Sequence, residues 1–186
     1  MVAVGCALAW CGAAASATVV VPTAFRDVVK DAALIARGHV TDVRSVVVPN
    51  AGIDSVATIA VDSLLKGPAA QFVSIRVPGG QVGRYRFVAV GAPHLVIGEQ
   101  AVFFLKRDAD NAWRPIGLTL GIYRVQADPQ SGRPVVDPPL VPGVTASIGQ
   151  VVRGDRRRAP MPIPEFESLV RLVMASDALR APGGRR

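Results

Sequence analysis

Cysteine is nearly absent from this chain, and both copies, Cys6 and Cys11, fall at its extreme N-terminus. Histidine occurs only at His39 and His94, tryptophan only at Trp10 and Trp113, and tyrosine only at Tyr85 and Tyr123. Each shortage excludes something. Beyond Cys11 no thiol is left to act as a nucleophile, ligate zinc or close a disulfide, so the rest of the chain must hold itself together through an apolar core. Two histidines at unrelated spacing do not make a His-x-x-x-His metal pair, and no metal site or cofactor is expected. So few aromatic rings give no stacking ladder for single-stranded nucleic acid, which is not expected as a partner.

Charge is also missing where it would be informative. No charged residue precedes Arg26. Met1 to Trp10 is apolar, and Ala15-Ser16-Ala17 has the small-x-small pattern of a signal-peptidase site. The expectation is a secretory signal over 1–17, cleaved between Ala17 and Thr18, and a secreted or periplasmic mature chain. The missing basic n-region leaves an ordinary apolar N-terminus as the alternative. A transmembrane anchor is not expected, because Gly5, Gly12, Ser16 and Pro22 interrupt the apolar run. Trp10 is too bulky to precede a lipidated Cys11.

The net charge of +7 is unevenly spread. Residues 153–186 carry 8 basic and 4 acidic side chains, mainly through Arg153, Arg156, Arg157, Arg158, Arg185 and Arg186. Such a cluster suits phosphates or an anionic surface, or it is simply a solvated tail.

Periodicity divides what remains. Thr23 is the expected N-cap of a short helix whose apolar stripe is Phe25, Val28, Val29 and Ala32. Leu34 to Val48 then alternates as a strand, with Ala36, Gly38 and Val40 on one face and Arg37, His39 and Thr41 on the other. The alternation slips at Asp42-Val43, as a β-bulge would make it, and Gly38 suits a bent strand. Strands are expected over Val56–Leu65, Phe72–Val77, Arg84–Val90, Ala101–Leu105, Trp113–Leu118 and Gly121–Val125. Ala101–Leu105 is apolar on both faces and so is expected to be covered on both. Eight of the fifteen prolines lie between Asp128 and Pro164, where only short edge strands such as Val135-Val136 are expected. Pro164 opens a second helix with the stripe Phe166, Leu169, Val170 and Val173, and Glu167 is spaced to pair with Arg171.

The fold class expected is mainly β: a small closed OB-like β-barrel with a short N-terminal helix and a C-terminal helix. The barrel is expected over 18–126, a proline-rich irregular extension over 127–163, the helix over 164–179 and a disordered basic tail over 180–186. Ala24-Phe25, Asp31 to Val40, Val61 and Leu65-Lys66-Gly67-Pro68 together resemble the N-terminal inhibitory domain of tissue inhibitors of metalloproteinases and the related netrin-like modules. The stretch is also similar to exported bacterial proteins in which a Leu-Lys-Gly turn precedes a strand and a Pro-Gly-Gly loop. The resemblance implies an OB barrel with a bulged first strand. In tissue inhibitors a free N-terminal cysteine chelates the protease zinc. This chain departs there, since Thr18-Val19-Val20-Val21-Pro22 would form the mature N-terminus.

Function follows by analogy with the face and loops that OB barrels use. The expectation is a non-enzymatic binding module that meets an extracytoplasmic protein or envelope component. Candidate face residues are Arg37, His39, Arg84 and Arg86, with Pro78 to Gly83 as a candidate loop. The alternative implied by the resemblance is a metalloprotease inhibitor or protease-associated protein acting through Thr18. No serine stands in a Gly-x-Ser-x-Gly elbow and the carboxylates are scattered singly, so no catalytic residue is assigned.

Overall fold

The computed structural model describes residues 24–139 and 159–180. Ala17, Thr18, the signal segment and residues 181–186 lie outside the described residues, as does the basic run Arg156 to Arg158. The fold is mainly β, with one large sheet and two helices.

Helix α1 is Phe25–Asp31. Its N-cap is Ala24, not Thr23; the Ala24 carbonyl accepts the first turn's amides from Asp27 and Val28, and no side chain caps it. Two long strands follow, β1 (Leu34–Val48) and β2 (Gly52–Lys66), joined by a tight turn through Pro49, Asn50 and Ala51. Next come β3 (Phe72–Pro78) and a separate small hairpin of β4 (Gly80–Val82) and β5 (Tyr85–Phe87). Strand β6 is Gln100–Arg107, β7 is Trp113–Pro115 and β8 is Ile122–Ala127. The strand expected over Trp113–Leu118 ends already at Pro115, and a turn and a 3-10 segment at Leu118–Gly121 follow it. Within the proline-rich stretch, β9 (Pro134–Asp137) pairs with β8, and β10 (Met161–Pro162) is the last strand of the sheet. Helix α2 runs Ile163–Arg180, opening one residue before Pro164 and including Arg180.

The sheet order is β1-β2-β3-β7-β6-β8-β9-β10, and β1 also pairs with β6. All pairings are antiparallel except β3 with β7, which meet in parallel at Ile75 and Trp113 alone. The β1–β2 register shifts between Val40 and Asp42, leaving Thr41 as the extra residue. That bulge moves Val43 onto the core face, where it packs against the buried cluster. A second shift lies beside Gly38, where a Cβ would stand 2.2 Å from the Ala60 carbonyl oxygen. Only glycine lets the two strands approach so closely.

Two apolar layers lie on either side of β1 and β6. One contains Leu34, Ala36, Val40, Ile59, Val73, Ile75, Phe103, Leu105 and Ile122, with Leu95 inserted from the segment before β6. The other joins the helices to the sheet: Phe25, Val28 and Val29 from α1, Phe166 and Val170 from α2, against Ile35, Val102, Phe104 and Tyr123. Strand β6 contributes to both, because Ala101 to Leu105 is buried on both faces. Phe25, Phe104, Tyr123 and Phe166 pack as a ring cluster, with centroids 5.1–6.4 Å apart in edge-on and tilted arrangements that suit aromatic quadrupoles. Among the described residues no helix is long and apolar enough to cross a membrane.

Candidate functional site

Arg37 and His39 point from the outer face of β1 toward one carboxylate. Asp62 on β2 accepts from Arg37 Nη1 at 3.3 Å and from Gln100 Nε2 at 3.0 Å, while its other oxygen lies 3.1 Å from His39 Nδ1. Arg37 also turns toward α2, where its Nε donates to Glu167 Oε1 at 3.0 Å. Arg171 holds the second Glu167 oxygen at 3.2 Å, one helical turn along. Arg37 therefore ties α2 to β2 with a planar guanidinium that serves two carboxylates at once. The Glu167 side chain is only 12% exposed, so the contact is better shielded than an ordinary surface ion pair. Arg37→Met is expected to lower stability by about 1 kcal/mol and to loosen α2, which hydrogen exchange of Ile163–Arg180 amides would report.

Arg84 and Arg86 stand elsewhere. The β4–β5 hairpin lies over the far end of the β1–β2 ribbon, fastened by Gln81 N donating to Ser45 Oγ at 3.1 Å and Ser55 Oγ donating to the Gly79 carbonyl at 2.7 Å. Ser45 and Ser55 share a face with the core side chains Val43 and Ala57, the face opposite Arg37 and His39. Ser45 lies six residue steps beyond His39 along β1, roughly 20 Å. The four candidate side chains thus form two separate sites. Arg84 donates to Tyr85 Oη at 3.0 Å and lies over its ring at 5.1 Å; Arg86 has no ion-pair partner among the described residues.

This hairpin end exposes apolar side chains. The expected strand Arg84–Val90 is regular only over Tyr85–Phe87, and its apolar face is not buried. Tyr85 is 65% exposed, Val88 69% and Val90 88%, and Val47 at the ribbon tip is 66% exposed. Phe87 is less open because its ring covers Gly52. The physical reason is topological: among the described residues β4 and β5 pair only with each other, so no neighbouring strand extends their sheet to cover Tyr85, and Phe87 leans on the Gly52 turn. Past this end the chain crosses toward β6, dropping Leu95 into the core and joining β1 through the Gly98 amide on the Val40 carbonyl. His94 lies on this crossing, and its carbonyl accepts from Arg124, which also pairs with Glu99.

The Lys66-Gly67 turn has a structural task. Lys66 Nζ donates to the carbonyls of Val29 and Lys30 at 3.0 and 3.1 Å, closing the C-terminal end of α1 where cations are favoured. Burial pulls the Lys66 ammonium below the usual lysine range, opposed by Asp31 and Asp177. Gly67 has φ +104°, and a Cβ there would stand 2.9 Å from the Ala33 carbonyl oxygen. Lys66→Met is expected to cost about 1 kcal/mol, read as a lower thermal midpoint.

A cleft of about 500 Å³ opens at the seam between β3 and β7, lined by Phe72, Arg76, Arg107 and Trp113 among others. It exists because these strands share a single register pair. Arg107 is stacked on Trp113 at 4.0 Å and donates to the Asn111 carbonyl, so it is already engaged. Beside the seam, the buried Asp54 receives Arg114 Nη2 at 3.0 Å, and Arg114 Nε donates to Asp108. Among the described residues no group of three His, Cys, Asp or Glu side chains is placed to hold a metal ion. The sequence matches no protein-family model and no curated protein.

Proposed function

We propose that this chain is an exported, non-catalytic interaction module on a closed OB-like β-barrel, and that it meets an extracytoplasmic protein or envelope component through the end bearing the β4–β5 hairpin. The barrel reading is supported by the pairing path β1-β2-β3-β7-β6, which returns to β1, and by its parallel β3–β7 seam. Export rests on the apolar Met1–Trp10 run and the Ala15-Ser16-Ala17 pattern. The observation that carries the contact surface is the cluster of Val47, Tyr85, Val88 and Val90, each more than half exposed at one end of the molecule. Apolar side chains scattered singly need no explanation, but a group at one end marks a contact site. Arg37 and His39 support the reading differently, by holding α2 and Asp62 in place.

The test is capture from envelope fractions of the producing organism, with the wild-type exported chain beside Val88→Asp/Val90→Asp. Specific partners lost in the variant are expected. Equal recovery by both proteins would remove this end from consideration. Intact mass of the exported protein is expected to place its N-terminus at Thr18.

A further inference from the structure

We infer that the β4–β5 end docks on an anionic lipid surface, an assignment that rests on reading this end as the contact surface. Two independent observations meet there. The first is the exposed apolar set of Val47, Tyr85, Val88 and Val90. The second is charge: no acidic residue occurs over 79–98, the hairpin and the crossing that follows it, whereas Arg84 and Arg86 do. Asp54, on the neighbouring ribbon strand, does not offset this, because it is buried and paired with Arg114.

The chemistry of these groups selects the occupant. Val88 and Val90 stand out from a segment with no regular structure beyond β5, which suits insertion among acyl chains better than packing into a preformed pocket. Tyr85 has an apolar ring and a polar tip, the combination favoured at the headgroup boundary. Among the described residues Arg86 has no carboxylate partner and Arg84 donates to Tyr85 alone, which leaves both guanidinium groups available to phosphates. A protein partner would have to bring its own carboxylates to these arginines. A bilayer presents phosphates and hydrocarbon in the matching order.

The experiment is flotation of the full exported chain with equimolar phosphatidylglycerol–phosphatidylcholine vesicles, against phosphatidylcholine alone, at low and high salt. Binding to the anionic vesicles that weakens with salt is expected. Arg84→Ala/Arg86→Ala should reduce it about thirtyfold, at roughly fivefold per cation. Val88→Ser/Val90→Ser should reduce it about tenfold or more. The arginines beyond residue 152 are intact in both variants, so vesicle binding unchanged by both would assign it to that region and overturn the proposal. Absence of vesicle binding overturns it as well. If binding to vesicles is absent but protein capture still depends on Val88 and Val90, the contact surface stands and the lipid assignment falls. If capture is also indifferent to them, both fall. Circular dichroism and thermal midpoints matching wild type check that these exposed-site variants fold.

Discussion

Gly38→Ala is expected to destabilise the protein by about 3 kcal/mol, a large fraction of the stability of a typical domain. The added Cβ would lie 2.2 Å from the Ala60 carbonyl oxygen and 2.8 Å from Ile59 Cγ2. Neither can yield cheaply. Ala60 is backbone in the β1–β2 ladder, and Ile59 is 1% exposed in the core. Relief therefore requires the two strands to separate at the bend that carries Val40 and Ile59. Gly83→Ala is the useful comparison. Among the described residues nothing lies within 4 Å of where a Cβ would stand, and the cost there is only that of a left-handed residue, about 1 kcal/mol. Urea melts of the two variants should separate steric from conformational cost, and equal midpoints would show that β1 and β2 can part freely at Gly38.

Arg114→Met is expected to cost a similar amount, about 3 kcal/mol. Asp54 has a side chain only 7% exposed, and Arg114 supplies its ion pair. Removing the guanidinium leaves a carboxylate that is neither solvated nor paired. Asp54→Asn in the same background should recover much of the loss, because it removes the orphaned charge. The same arginine sets an acid limit. Its hydrogen bond holds Asp108 below the usual carboxylate range, aided by the amides of Ala112 and Asp110. A depressed folded-state value means that the unfolded chain takes up the proton first as pH falls. The stabilisation is therefore present above the ordinary aspartate value of about 3.9 and is lost as pH drops through the folded-state value. Wild type should lose stability in that acidic window, and Arg114→Met should show a shallower dependence. Identical slopes would remove Asp108 from the acid response.

The parts of the fold that were legible in sequence are those governed by near neighbours. Slippage at Asp42-Val43 marks the bulge because one extra residue inverts side-chain facing, and Thr41 is that residue. The unbroken apolar run Ala101–Leu105 marks a strand with a layer on each side. Helix stripes in α1 and α2 identify the side chains that meet in the ring cluster. What failed to show were the pairings between distant positions. Glu167 is spaced for Arg171, yet it also receives Arg37, 130 residues away, and no local pattern marks that contact. Arg37 therefore reads as a free surface cation until α2 is placed against it. The alternation over Arg84–Val90 carries the opposite lesson. It suits a half-buried strand, but period alone does not supply the covering layer, and none of the described residues forms one.

Strand β10 has a consequence for how this protein behaves at high concentration. The last strand of the large sheet is two residues long, and its second residue, Pro162, has no amide hydrogen to donate. A neighbouring molecule arriving at this edge would find almost no ladder to extend. The helix begins at the very next residue, so the strand cannot lengthen without unwinding α2. The prolines that bar this stretch from a central sheet position thus give the sheet a blunt end, which guards against strand-by-strand growth into fibrils.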